Sequence, residues 1–237
     1  MSPFRYAWIL CLIIFQSTFA QTNYTQFVNP FIGTGGHGHT YPGATLPHAM
    51  VQLSPDTRLD GWDGCSGYHY SDTFIYGFSH THLSGTGCSD YGDILLMPGN
   101  GDPSSNNKEY GSSFSHQTEK ASPGYYAVKL SKHNIQVELT ATERVGIHHY
   151  HFSKKNDNYV LLDLKHRDEV IESSFKIEDS VTVTGMRRSK AWAEDQVIYF
   201  VMKFSRPFSS TQIWDPDIVD LISKQQEHQS KNLKAAF

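Results

Sequence analysis

"GYYAVKLSKHNIQVELTATERVGIHHYHF" runs from Gly124 to Phe152. Three short runs rich in β-branched and aromatic residues are separated by "SKHN" and "ERV". In the middle run Val137, Leu139 and Ala141 alternate with Gln136, Glu138 and Thr140. A period of two means one face buried and one face wet, the signature of a strand. The links are too short for helical crossovers, so neighbouring strands must pair antiparallel.

The same pattern continues outward. "YVLLDL" (159–164), "SFKIE" (174–178), "VTVTGMRR" (181–188) and "VIYFVMKFS" (197–205) follow at roughly ten-residue spacing. An all-β, antiparallel β-sandwich of the supersandwich type is the expected fold, with a short helix possible near the C-terminus in "DPDIVDLISKQQEHQSK". "NLKAAF" (232–237) reads as the start of one more strand. Residues 99–118 read as a polar loop of turn formers, and "KHRDE" (165–169) as a solvated turn.

Upstream, residues 21–98 are dense in Gly, Pro, Thr and His, with short apolar bursts. At the N-terminus, Arg5 precedes the apolar "AWILCLIIF" (7–15) and the small residues of "STFA". This is the pattern of a signal peptide, residues 1–20, cut near Ala20. The expected mature domain is 21–237, secreted or periplasmic, with no membrane contact after cleavage. A net charge of −4 offers nothing to nucleic acid. Hydrophobic residues at 38% with charged residues at 19% exclude a disordered chain.

With Cys11 inside the signal segment, Cys65 and Cys88 are left for an oxidising compartment. They could pair as a disulfide or stand as two separate thiols. Both lie in "GWDGCSGYHYSDTFIYGFSHTHLSGTGCSDYGDILLMP" (61–98), which also concentrates His and Asp. "HGH" and "HTH" suggest zinc, but neither HExxH nor CxxC accompanies them. "DTRLDGWDG" suggests calcium, but it has no EF-hand spacing. The histidines are expected to order Gly-rich loops and the aspartates to fix turns. No metal site is assigned. "GWDG" sets Trp62 between glycines at a loop tip.

"VNPFIGTGGHGHTYPGATLPHAMVQLSPDT" (28–57), "GWDGCSGYHYSD", "IYGFSHTHLSGTG", "DYGDILLMP", "ASPGYYAVKL" and "ELTATERVGIHHYHF" resemble, in order, the N-terminal domain of glycoside hydrolase family 92. The resemblance covers about residues 27–205. It implies a calcium-dependent, inverting exo-α-mannosidase built from a β-sandwich and a larger (α/α)₆ barrel. The barrel holds the catalytic acid and base and most of the calcium environment. By this resemblance the chain is the sandwich half, cut before the barrel, with no catalytic residue of its own.

The resemblance gives Trp62 a place in the mannose pocket at the junction with the barrel. Asp63, Ser66, His69 and His82 are further pocket or interface candidates. The implied partners are an α-mannoside glycan and the barrel. A stand-alone carbohydrate-binding module and a ligand-free interaction domain are the alternatives. His48-Ala49 where the family expects Phe-Gly, the His-rich "GIHHYHF" and a poor match over Gln212–Lys231 are departures.

Overall fold

A computed structural model describes residues 23–215 and 227–237. The signal-peptide segment and most of the expected C-terminal helix lie outside the described residues. A central sheet runs in the order β1 (Ala44–Thr45), β2 (Gln52–Asp56), β4 (Gly77–Ser79), β5 (Leu95–Asn100), β11 (Asn158–Asp163), β17 (Lys234–Ala236) and β15 (Gln212–Trp214). One flanking sheet runs β10 (Gly146–Phe152), β9 (Ile135–Ala141), β8 (Tyr125–Leu130) and β7 (Lys120–Ser122). The other runs β14 (Gln196–Lys203), β13 (Thr182–Lys190), β12 (Glu169–Ile177) and β16 (Glu227–Gln229). A small ribbon pairs β3 (Phe74–Ile75) with β6 (Ser112–Ser113). The strand pairs are antiparallel.

The central sheet is covered on both faces. Leu95, Met97, Leu161 and Ala236 point into a core shared with Val128, Leu130, Val137 and Leu139. Their neighbours Leu96, Leu162 and Ala235 point the other way, onto Phe175 and Val183. Double coverage explains why "ILLMP" and "YVLLDL" are continuous apolar runs while β9 alternates strictly. The flanking sheets need only one dry face each, and their sequences show it.

The seven strands read between Gly124 and Ser205 all form, most within a residue or two of their expected ends. The one read at 174–178 starts earlier, at Glu169, with a register shift between Val170 and Glu172. "NLKAAF" supplies β17. The loop at 99–118 contains a one-turn helix, Asn107–Tyr110, capped by the Asn106 side chain. It also contains β6.

"GIHHYHF" divides by parity. Tyr150 and Phe152 pack against the first core. His148 also turns inward, where its Nε2 meets His80 Nε2 at 3.0 Å and its Nδ1 meets the Tyr150 hydroxyl at 2.7 Å. His80 Nδ1 reaches the Ile94 carbonyl at 2.6 Å. Burial pushes both imidazoles below their ordinary value. A run of neutral rings thus ties this sheet to the central one, the Tyr150 hydroxyl donating at one end and His80 at the other.

Candidate functional site

The loops before β2 and between β2 and β5 gather at one rim. Gly61 adopts φ +82°, a left-handed conformation that favours glycine, and launches the short turn Trp62–Gly64. Trp62 is left 58% exposed. Its indole is held on several sides. The His39 ring meets it edge-on at 4.3 Å, and His37 lies tilted at 5.1 Å. Gly87 lies against the Nε1 edge: a Cβ there would stand 2.1 Å from that nitrogen. Any side chain at 87 would displace the indole.

Asp63 completes this group. Its Oδ1 is 2.6 Å from His37 Nδ1 and 3.7 Å from His39 Nε2. The hydrogen bond from His37 holds the Asp63 carboxyl below its ordinary value. His69 joins from the side. Its Nε2 lies 3.1 Å from the Gly36 carbonyl, linking the loop after β2 to the glycine-rich loop at 33–38. Arg58 locks that loop by a two-pronged contact with Asp72, 2.5 Å from Nη2 and 3.1 Å from Nε.

Ser66 and His82 sit underneath. Ser66 Oγ donates to the carbonyls of Thr40 and Tyr68. His82 is buried, with Nδ1 2.7 Å from the Gln52 carbonyl and Nε2 3.4 Å from Asp56 Oδ1. Neither offers a free group to a ligand at Trp62. Cys65 and Cys88 are free thiols here, and Cys65 Sγ donates to the Thr86 carbonyl at 2.7 Å. Burial pushes the Cys65 thiol up.

The "KHRDE" segment is no solvated turn. The buried Arg167 side chain donates to the carbonyls of Arg58, Gly64 and Cys65 and to Ser89 Oγ, pinning the Trp62 loop from below. His166 Nε2 lies 3.3 Å from Asp56 Oδ1. Burial by itself would raise Asp56. The charges and hydrogen bonds of His82 and His166 outweigh it and hold Asp56 well below the carboxylate range. Further back, fully buried Arg187 contacts Asp93 and donates to the carbonyls of Leu164 (3.0 Å) and His166 (2.7 Å).

His37, His39, Gly87, Arg167 and Arg187 were not singled out from sequence as site residues. For His37 and His39 the density of the "HGH" stretch was a signal. For the arginines no local pattern exists, because Cys65 lies 102 residues from Arg167 and Asp93 lies 94 residues from Arg187.

A calcium ion, as the resemblance implies, would need about six to eight oxygen ligands. The aspartates here do not offer that shell. Asp56 faces imidazoles, Asp63 faces His37, Asp72 faces Arg58, and Asp93 faces Arg187. A depression of about 500 Å³ bordered by Leu59, Asp163, Arg167, Trp214 and Lys234 lies apart from Trp62. Trp62, Asp63, Ser66, His69 and His82 do not line it.

The all-β, antiparallel sandwich is that of a glycosidase-family domain, as the family match establishes. The chain belongs to the glycosyl hydrolase family 92 N-terminal domain family, which matches residues 27–237. It is similar to a family GH92 alpha-mannosidase from Bacteroides thetaiotaomicron solved in complex with mannoimidazole. The identity is 33%, the TM-score 0.84, and the match covers 90% of this chain and 30% of that one. A family GH92 inverting mannosidase from Bacteroides thetaiotaomicron VPI-5482 matches at 31% identity and TM-score 0.75, over 90% of this chain and 29% of that one. An uncharacterized secreted glycosidase of Arthroderma benhamiae is 32% identical over 162 residues, 64% of this chain and 21% of that protein. The chain therefore spans less than a third of the length of these relatives. Among the described residues no helix is long and apolar enough to cross a membrane.

Proposed function

We propose that this domain is the sugar-orienting, non-catalytic part of a secreted or periplasmic α-mannosidase. It docks on a catalytic barrel and offers Trp62 to the mannose of an α-mannoside glycan. The observation that carries this reading is the open indole of Trp62, fixed by His39 and Gly87 and bordered by the Asp63–His37 pair. An aromatic face packs against sugar C–H groups, and a carboxylate beside it accepts hydrogen bonds from hydroxyls. The Nε1 edge lies against Gly87, so the ring face is the surface a sugar would meet.

In an inverting hydrolysis one carboxylic acid protonates the leaving oxygen and a second carboxylate activates water. We assign both, with the calcium that engages the mannose, to the barrel. Every rim carboxylate described above is already committed to a cationic or imidazole partner. What this domain contributes is position and exclusion of water.

Two measurements test the proposal. The 237-residue chain with calcium should release no mannose from 4-nitrophenyl α-mannoside, and release would overturn it. In the whole enzyme, Trp62→Ala should lower kcat/KM roughly tenfold to a hundredfold with the fold intact. An unchanged value removes Trp62 from the pocket. Calorimetric mannose binding by the chain alone, lost in Trp62→Ala, would make it a carbohydrate-binding module instead.

A further inference from the structure

The outer face of the β7–β10 sheet carries three metal-ligating side chains in register. Glu138 on β9 stands directly across from His149 on β10, and His151 follows two residues on. All three leave the same face of the sheet. His149 Nδ1 lies 3.0 Å from Glu138 Oε2, and His151 Nε2 lies 3.8 Å from the same oxygen. The two imidazole centroids are 4.3 Å apart. One donor atom from each residue lies within 4.8 Å of the other two.

The carboxylate is also aimed. The Tyr125 hydroxyl, from β8, donates to Glu138 Oε1 at 2.6 Å. That bond occupies one oxygen and leaves Oε2 facing the imidazoles, the arrangement by which an outer partner orients a metal ligand.

We propose that Glu138, His149 and His151 form a surface site for a transition-metal dication, with zinc the fitting ion. Two imidazoles and one carboxylate suit zinc, copper or nickel, whereas calcium and magnesium prefer oxygen shells. At bond lengths of about 2.0–2.2 Å the three donors must draw closer than they stand. Both imidazoles are more than half exposed, so small side-chain rotations suffice. Water fills the fourth position. The ion would tie the edge strand β10 to β9. The site is separate from the Trp62 rim and shares no residue with it.

The test is calorimetric titration of the tag-free full chain with zinc chloride, with circular dichroism to confirm the fold of each variant. One zinc per chain is expected. His149→Ala combined with His151→Ala should weaken binding at least tenfold. Glu138→Gln keeps the side-chain shape and should weaken it comparably, and it serves if the double variant does not fold. Tyr125→Phe should weaken binding by a smaller factor. Zinc affinity unchanged in the double variant or in Glu138→Gln, or no zinc bound by the parent chain, overturns the proposal.

Discussion

The strand block from β7 to β14 and the rim around Trp62 reach order by opposite means. In the block, alternating apolar side chains drop into two cores, and each contact is nearly interchangeable with the next. In the rim, order rests on a few buried charged or imidazole groups, two of them arginines reaching in from the block: Arg187 of β13 on Asp93, Arg167 on three loop carbonyls, and Asp56 between His82 and His166. The block has redundancy and the rim has very little. Losing one methylene from the cores trims a sum, whereas losing one of these arginines strands its partners beneath the rim in a dry interior.

Arg187→Ala should therefore show the largest effect. It leaves Asp93 with the Thr81 and Gln196 side chains but without its cationic partner, and it takes the guanidinium from the carbonyls of Leu164 and His166. We expect a loss of about 3–5 kcal/mol in urea unfolding. A loss under about 1 kcal/mol would break the contrast between the two regions.

Acid should act next, and on the rim first. Asp56 has a folded-state value well below the ordinary one, so its ionised form is the stabilised form. Its contribution is complete above the unfolded value of about 3.9 and is lost as pH falls through the folded value. Stability of the parent chain should drop steeply below about pH 4, and Asp56→Asn should flatten that limb. Equal slopes in the two proteins would detach Asp56 from the acid response.

The smallest effect belongs to the outer face of the block. Tyr199 and Val201 on β14 are 76% and 72% exposed. Replacing both with Lys should change stability by no more than about 0.5 kcal/mol. It should also delay light scattering on heating, because it removes an apolar stripe from an edge strand. A larger stability change would mean that the block leans on its outer face as well.

The same contrast decides what could be read in advance. The strands at 124–152 and 174–205 were legible because burial on a strand repeats every two residues. The runs at 94–98 and 159–164 were legible as apolar runs, and coverage on both faces explains their continuity. Trp62 at the tip of a glycine-flanked turn could be read from its neighbours. Which way Ser66 and His82 point could not, since their partners Thr40, Gln52 and Asp56 come from other loops and strands. "KHRDE" looked like surface because its composition is that of a surface turn. Its role comes from the carbonyls of Arg58, Gly64 and Cys65 that Arg167 meets under the Trp62 loop, which no short window contains.

One consequence of the central sheet concerns time. β17 lies between β11 and β15 and pairs with both, yet it follows both in sequence, some seventy residues after β11. Until it arrives, β11 presents an open edge beside β5, with Leu161 and Leu162 facing two half-built cores. The sheet cannot close in step with synthesis, and its completion waits on a contact between distant parts of the chain. Such a domain should fold late and slowly, and its waiting state is the one most open to pairing with a neighbour.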